Sequence, residues 1–357
     1  MKKSILAAGL AFAAMAMSFA EGWDVNGYFR TGVEGNFDAK DAETKVYKDG
    51  QYYGNGKSRA RLNVDYTEED YGFRFRYQCD GFGVESADKE TWFTQGNLKY
   101  MMGYAKFMDG KIIAEAGKLM DFYTHSEARY EYQAIGGYGV RAVFVPVDGL
   151  FLGVGASTYR AEKYVEGDDE VKDGKAAVGS FKLNEKVLTV SAKYKHELFT
   201  IAGGYNLAGE AYGFFGLKAV PNLKFNIEAK FLKDEISGKT DKSGAKTTYT
   251  EAWELLNYNF KGLGLPLETG VYCHQIIVKD NKSTEFYPHM SYAITNSITP
   301  EFEVGIKMIE KNGESETTYD VTPSIKFTAG KRATVKVCYN CDKDAKSAAG
   351  ATLRVNF

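Results

Sequence analysis

Apolar and polar residues alternate through two consecutive segments near the start of the chain, 58–67 and 71–80. In each, nearly every second residue is apolar or aromatic and the residues between are mostly charged or polar. Glu68, Glu69 and Asp70 separate the two segments. Because successive side chains of a strand project to opposite faces, this pattern predicts a β-hairpin with one apolar and one ionic face. A water-soluble sheet would bury the apolar face in a core. An outer-membrane barrel would turn it to lipid and line an aqueous lumen with the ionic face.

Strand-like segments fill most of the remaining chain, and none shows sustained helical periodicity. Most run about ten to twelve residues, the length that a tilted strand needs to cross a bilayer. The predicted strands lie at 23–34, 57–67, 71–83, 91–102, 111–119, 137–146, 150–160, 176–184, 187–196, 199–207, 211–220, 222–234, 248–260, 267–278, 284–295, 300–310, 317–328, 332–341 and 348–357. A bacterial barrel with both ends in the periplasm needs an even number, so one segment between 176 and 234 is in excess. The sequence therefore predicts an all-β fold, a transmembrane antiparallel β-barrel of 16–18 strands, with 18 favoured.

Long polar connections alternate with short ones along the chain. Long connections are predicted at 35–56, 84–90, 120–136, 161–174, 235–247, 279–283 and 311–316, and short ones at 68–70, 146–149, 184–186, 261–266, 296–299 and 329–331. Outer-membrane barrels have long external loops and short periplasmic turns. The alternation therefore favours a membrane barrel over a soluble sandwich.

The first 20 residues have the features of a secretory signal peptide. Lys2 and Lys3 form a basic start, residues 5–17 are an apolar run, and residues 18–20 form a small-x-small cleavage site. We therefore predict that residues 1–20 are removed and that residues 21–357 form the barrel. Without these two lysines, 43 of the 45 basic residues remain against 47 acidic ones, a net charge of −4. This balance gives no reason to expect nucleic acid as a partner.

Aromatic residues and cysteines add two smaller expectations. Aromatics near segment ends are expected to form girdles at the two membrane interfaces. These aromatics are Trp23, Trp92, Tyr100, Tyr104, Tyr159, Tyr194, Trp253 and Tyr258. Cys338 and Cys341 have the spacing of half a zinc site or a redox motif, but no second ligand pair accompanies them. A disulfide or two free thiols is the favoured reading.

The end of the chain carries a family resemblance. Residues 351–357, ATLRVNF, alternate up to a terminal Phe357 and resemble the assembly signal of Gram-negative outer-membrane barrels. With the predicted signal peptide and loop pattern, the mature chain resembles a general-diffusion porin, and residues 23–30 and 112–119 are similar to the first and fifth strands of that family. The resemblance implies a Gram-negative-type outer membrane, insertion by the barrel-assembly machinery through Phe357, and a homotrimer formed through early and late strands.

The resemblance also implies a pore constriction. General-diffusion porins fold their third external loop into the barrel, where its acids face arginines of the early strands. The corresponding loop here is about 120–136. The constriction residues are then Arg30, Arg59, Arg61, Arg74, Arg76, Arg141, Asp121, Glu127 and Glu131. Independently, five guanidiniums on adjacent predicted strands repel one another, and they keep their charge at any working pH. Water in a channel would screen that repulsion, and the field would orient dipolar solutes.

No enzymatic motif accompanies this pattern. The sequence contains no nucleophile elbow and no phosphate-binding loop, and its four histidines are too scattered for a HExxH zinc site. We therefore predict a non-enzymatic porin, with no cofactor and no metal site. It would form a water-filled channel for passive diffusion of small hydrophilic solutes and ions, surrounded by outer-membrane lipid.

Two alternatives stay open. The chain could be a substrate-selective channel if the aromatic side chains of Tyr28, Tyr123, Tyr130 and Tyr132 form a stacked track along the lumen. It could also be a non-channel surface protein, an adhesin or an enzyme on a plugged barrel.

Overall fold

A computed structural model describes residues 21–36, 44–46, 59–80, 96–158, 188–237, 239–240, 246–279, 281–311, 313–342 and 348–357. The predicted signal peptide lies outside these residues. Eighteen long strands form one antiparallel sheet. They are β1 (Trp23–Asn36), β2 (Arg59–Thr67), β3 (Tyr71–Asp80), β4 (Gly96–Phe107), β5 (Ile112–Met120), β6 (Gly136–Phe144), β7 (Leu150–Ser157), β8 (Leu188–Lys195), β9 (Phe199–Asn206), β10 (Glu210–Leu217), β11 (Leu223–Leu232), β12 (Tyr249–Asn259), β13 (Leu267–Val278), β14 (Asn281–Tyr292), β15 (Ile298–Lys311), β16 (Glu314–Ala329), β17 (Ala333–Asp342) and β18 (Ala348–Asn356).

The first and last strands close the sheet into a barrel. The first part of β1 pairs with β2, and its second part pairs with β18 from Tyr28 opposite Asn356 onwards. The backbone N–H of Phe357 donates to the carbonyl oxygen of Gly27, and the Gly27 N–H donates back, both at 3.0 Å. A Cβ on Gly27 would lie 2.7 Å from the Phe357 ring, so this seam requires glycine. The predicted even number is confirmed, with 18 strands rather than 16.

Each strand corresponds to one predicted segment, and the nineteenth segment, 176–184, lies outside the described residues. The prediction 91–102 was wrong in position, because β4 spans Gly96–Phe107. The second half of β4 has small outward residues such as Gly103 and Ala105, which give a weak apolar signal. The long connections predicted at 279–283 and 311–316 were also wrong. Each is a two-residue link, because the polar ends of β13–β16 continue the ladder, with Lys311 opposite Asn281 and Glu314.

The two faces of the barrel differ in chemistry. One phase of the strands carries exposed apolar side chains, such as Val154, Ile201 and Phe302. The other phase carries most of the buried polar and charged side chains, such as Lys193 and Glu228. The segment between β5 and β6 contacts Ser191, Asn206 and Glu228 of more distant strands through this second phase, so it is the inner face. The outer face is therefore the apolar surface that a bilayer requires.

Three of the aromatic residues predicted for the girdles lie elsewhere. Tyr100, Tyr104 and Trp253 are buried on the inner face instead of lying in a girdle. Two others, Trp92 and Tyr159, lie outside the described residues.

One charged residue departs from the apolar character of the outer face. Halfway along β12, Glu254 is exposed on the outer face, opposite Ile227 of β11 and Cys273 of β13.

Short elements decorate the barrel. Thr44–Val46 pairs with β1, Lys239–Thr240 pairs with Lys246–Thr247, and Asp234–Ser237 and Phe260–Leu263 are single helical turns. No helix in the described part of the chain is long and apolar enough to span a membrane. All four cysteines are free thiols. Cys338 and Cys341 are an odd number of residues apart on β17 and therefore project to opposite faces, which separates the two sulfurs.

Candidate functional site

Six arginines lie on the inner face of four neighbouring strands, β18, β1, β2 and β3. We call this group the arginine wall: Arg30, Arg59, Arg61, Arg74, Arg76 and Arg354. Arg354, Arg30 and Arg59 lie directly opposite one another across β18, β1 and β2. Like charges in directly opposite positions are destabilising in an ordinary sheet. The wall is therefore a costly feature for which packing alone gives no reason.

Amide side chains hold two of these guanidiniums. Arg61 donates from Nε and Nη2 to Oε1 of Gln78, at 2.9 and 2.6 Å. Arg76 donates from Nε to Oδ1 of Asn63 at 2.7 Å. These acceptors orient the guanidiniums without cancelling their charge.

Aromatic rings hold the wall in the same way. The Cζ atoms of Arg354 and Arg61 lie 4.3 and 5.3 Å from the ring centre of Tyr28, and that of Arg76 lies 4.9 Å from the ring of Tyr100. Cation–π contacts of this kind stabilise a guanidinium while leaving its charge in place. In the described part of the chain no ion pair with a carboxylate involves Arg61, Arg74, Arg76 or Arg354.

Loop 121–135, between β5 and β6, is anchored by a buried ion cluster. Arg141 of β6 donates from Nη1 to Oδ1 of Asp121 at 2.8 Å and to Oε2 of Glu115 at 3.5 Å, and from Nη2 to Oγ1 of Thr124 at 2.5 Å. The side chains of Arg141, Asp121 and Glu115 are at most 1% exposed. The hydroxyl of Tyr212, on β10, donates to the carbonyl oxygen of Thr124. This cluster fixes the start of the loop against inner-face residues.

The loop then reaches towards the opposite end of the barrel. Glu127 Oε1 lies 2.8 Å from the Nζ atoms of both Lys193 and Lys195, and Glu127 Oε2 lies 3.9 Å from Nζ of Lys218. Lys195 ends β8 and Lys218 follows β10, at the end of the barrel away from the end where the loop starts. Burial alone would raise the pKa of Glu127. The hydrogen bonds from Lys193 and Lys195 outweigh burial and hold this pKa at about 2.

The loop returns along β11 and β12. Ser126 donates from Oγ to Oε2 of Glu228 at 2.7 Å, and the Tyr130 backbone N–H donates to Oε1 of the same carboxylate at 2.9 Å. The Tyr130 ring stacks on Tyr132, with ring centres 5.7 Å apart and planes 6° apart, and lies 4.9 Å from Trp253. These contacts make one aromatic cluster between the loop and the wall.

The far side of the inner face carries acids that are paired. His274 of β13 lies between Glu251, with Nε2 to Oε1 at 3.0 Å, and Glu285, with Nδ1 to Oε2 at 3.3 Å. Glu301 of β15 pairs with Lys326 at 2.6 Å and with Lys336 at 3.0 Å. The negative charge of these acids is therefore offset by neighbouring cations. The positive charge of four guanidiniums of the arginine wall is not offset in this way, because they contact amides and aromatic rings.

The predicted site residues fall into separate places. The five predicted strand arginines belong to the arginine wall. Arg141 and Asp121 are buried together in the ion cluster, so they do not face open lumen. Glu127 pairs with lysines rather than arginines, and Glu131 is exposed. The loop side chains that meet the wall are aromatic: Arg74 Cζ lies 4.3 Å from the Phe122 ring and 5.8 Å from the Tyr123 ring.

Sequence reasoning missed two parts of this arrangement. Arg354 lies on the polar phase of the last strand, and closure of the sheet brings it beside β1. Lys193 and Lys195 lie on the polar phase of β8, and the loop selects them as its partners. The alternation that identified the early arginines marks all three positions, but it does not say which strands meet. In the described residues, no group of three or more His, Cys, Asp or Glu side chains is arranged to hold a metal ion.

These observations define the class of the protein. A closed 18-stranded antiparallel barrel with an apolar outer face and a polar inner face is a porin-like β-barrel of the outer-membrane type. A barrel of this type belongs in an outer membrane.

The comparison with solved structures finds outer-membrane barrels. OmpT of Vibrio cholerae, folded in vitro, is 14% identical with a TM-score of 0.48, and the match covers 94% of this chain and 97% of that one. OmpT expressed in the outer membrane is 13% identical with a TM-score of 0.46, and the match covers 95% and 99%. A triple mutant of the Rhodopseudomonas blastica porin is 12% identical with a TM-score of 0.43, and the match covers 94% and 100%. Likeness at this level adds nothing on function, and the class rests on the barrel itself.

No protein-family model matches the sequence. No curated protein matches it.

Proposed function

We propose that the protein is a porin, a water-filled channel for passive diffusion of small hydrophilic solutes and ions. Its constriction would lie between loop 121–135 and the arginine wall, and anions would pass more readily than cations. It would need no cofactor and carry out no reaction. The proposal keeps the homotrimer and the role of Phe357 in assembly as predictions from the family resemblance.

The charge of the arginine wall carries this proposal. Four of its guanidiniums are held by amides and aromatic rings, with no carboxylate in ion-pair contact, so their field extends into the space beside them. Two of the three acids of loop 121–135 do not offset that field, because Asp121 and Glu127 are already paired with Arg141 and lysines, and the exposed Glu131 is the one acid of the loop outside these pairs. A net positive field at a narrow point favours anions.

The test is ion selectivity in planar bilayers. The variant in which Arg59, Arg61, Arg74 and Arg76 are all changed to Gln should form channels whose reversal potential in a salt gradient shifts towards cation selectivity. Arg332→Gln is the control for loss of a positive charge outside the wall, since Arg332 is exposed in the link between β16 and β17. Absence of channels in the folded wild-type protein would refute the proposal, and an equal shift in Arg332→Gln would refute the role of the wall.

A substrate-selective channel is a second candidate. Tyr130 stacks on Tyr132 and contacts Trp253, and the Tyr272 and His289 rings stack with centres 4.8 Å apart. Tyr28 and Tyr123 contact arginines on the other side, so the four tyrosines do not form one track. A solute that blocks wild-type current, but not that of Tyr130→Ala, would favour this candidate.

A further inference from the structure

Two guanidiniums of the arginine wall contact a single tyrosine ring. The Cζ atoms of Arg354 and Arg61 lie 4.3 and 5.3 Å from the ring centre of Tyr28. Tyr28 of β1 lies opposite Arg61 of β2 on one side and opposite Asn356 of β18, two residues from Arg354, on the other. Arg30, two residues along β1, lies opposite Arg354 on one side and Arg59 on the other. The closing seam of the barrel thus brings arginines from the first, second and last strands to one place.

The protein satisfies only part of the hydrogen-bonding capacity of Arg61 and Arg354. Arg61 uses Nε and Nη2 on Gln78, and Arg354 uses Nε on Oδ1 of Asn356 at 2.9 Å. A guanidinium carries five N–H donors. Nη1 of Arg61 and both Nη atoms of Arg354 have no acceptor among the contacts of the described residues. The amide acceptors and the ring fix the two forks while these donors stay available.

We propose that Arg61, Tyr28 and Arg354 form a binding site for an oxyanion with two negative charges, such as inorganic phosphate or a phosphate monoester. The planar fork of a guanidinium matches two oxygens of such an anion, and charge-assisted hydrogen bonds of this kind are the strong ones. A doubly charged anion also offsets the repulsion along the wall, whereas chloride, as a single charged point, can accept from the forks without matching their geometry. This inference rests on the proposed function only in that the anion reaches the site through the lumen.

The site can be tested by direct binding, without conduction. Isothermal titration calorimetry would follow inorganic phosphate added to the folded full-length protein, in a detergent without phosphate groups and in a chloride buffer. Wild type should bind phosphate saturably. Arg61→Gln and Arg354→Gln should each weaken binding by about tenfold, the size expected for one charge-assisted interaction. Arg332→Gln, which removes the same charge in the link between β16 and β17, should leave it unchanged.

Conservative variants separate geometry from charge. Arg354→Lys keeps the charge but lacks the fork, and should bind phosphate more weakly than wild type and more tightly than Arg354→Gln. Tyr28→Phe keeps the ring and should bind phosphate as wild type does, whereas Tyr28→Leu should weaken binding. Each variant can be checked for a folded, closed barrel by the change in its gel migration when the sample is heated. If Arg332→Gln weakens binding as much as Arg354→Gln does, the anion responds to net charge and the site is refuted.

The outcomes also separate this site from the proposed channel. Saturable binding in a protein that forms no conducting channels would uphold the site and refute the porin. Conducting channels with no measurable phosphate binding would refute the site and leave the porin standing. Addition of short-chain phosphatidic acid and glucose 6-phosphate as competitors distinguishes a lipid headgroup from a free solute as the source of the phosphate. Competition by either compound supports the oxyanion chemistry.

Discussion

Arg141 provides the sharpest test of what holds loop 121–135 against the inner wall. Changing Arg141 to Met keeps most of the side-chain volume and removes the charge. Asp121, 2.8 Å from Nη1 in wild type, and Glu115, at 3.5 Å, would then be two buried carboxylates with no cation in contact. Removal of one partner from a buried ion pair costs about 3–5 kcal/mol.

That cost can be compared with the rest of the loop's attachment. Hydrogen bonds from Ser126 and Tyr130 to Glu228, from Tyr212 to Thr124 and from Asn206 to the Ala134 carbonyl join the loop to the wall. Each contributes about 0.5–1.5 kcal/mol net. Loss of the Arg141 cation is therefore about as large as these four hydrogen bonds together. The Glu127 ion pairs with Lys193 and Lys195 and the Tyr130 contact with Trp253 hold the loop in addition. The barrel ladder, which does not depend on the loop, should stay folded.

Two measurements follow the loop in Arg141→Met. Single-channel conductance in planar bilayers should rise and become noisier as the loop leaves the lumen. Trypsin should cut after Arg129, the one Lys or Arg of residues 121–135. The docked loop should resist cleavage, because trypsin is too large to enter the barrel. The triple variant Arg141→Met, Glu115→Gln, Asp121→Asn removes the stranded charges and should recover protection. Wild-type conductance together with full protection in Arg141→Met would show that the ion cluster does not hold the loop.

Three further predictions concern pH and the strands. The pKa of Glu127 lies below its ordinary value of 4.5, at about 2, so its pairing stabilises the docked loop fully above pH 4.5 and is lost as pH falls towards 2. Single-channel conductance recorded at each pH should rise over that window as the loop is released. It should depend less on pH in Glu127→Gln, and an unchanged profile in that variant would contradict the assignment. Glu254→Leu should raise the free energy of unfolding from lipid vesicles, measured by urea titration, by about 1–2 kcal/mol, because it removes a carboxylate from the lipid-facing surface. A decrease in this free energy would mean that Glu254 has a partner. Gly139→Ala should lower that free energy by about 1–3 kcal/mol, because its Cβ would lie 2.1 Å from a backbone oxygen of β7. Gly213→Ala, whose Cβ meets nothing within 4 Å, is the control, and equal effects in the two variants would contradict the packing argument.

Much of the barrel was predictable from local pattern. The alternation in 58–67 and 71–80 correctly identified β2 and β3 and the inward phase of their arginines, because a strand's side-chain period does not depend on its neighbours. Boundaries were less predictable. The polar ends of β13–β16 continue the ladder beyond the predicted strands, and hydrophobicity carries no signal where both faces of a strand meet water.

The candidate site was predictable only in part. The acids of loop 121–135 were visible, but their partners were not. Asp121 meets Arg141 from the strand that follows the loop, and Glu127 meets lysines at the far end of the barrel. A loop's path depends on which side chains it can bury and pair along its way, and many polar positions on 18 strands compete for the same acids.

Residue order alone was therefore sufficient to predict the class of fold and the face on which each strand arginine lies. It also limited the number of strands to 16–18. These features follow from the two-residue period of a strand and from the need to present apolar atoms to lipid. Closure of the barrel decided which strands became neighbours. It placed Arg354 beside Tyr28 and buried Arg141 beneath the loop. Contacts of this kind join residues that are far apart in the chain, so no local pattern contains them.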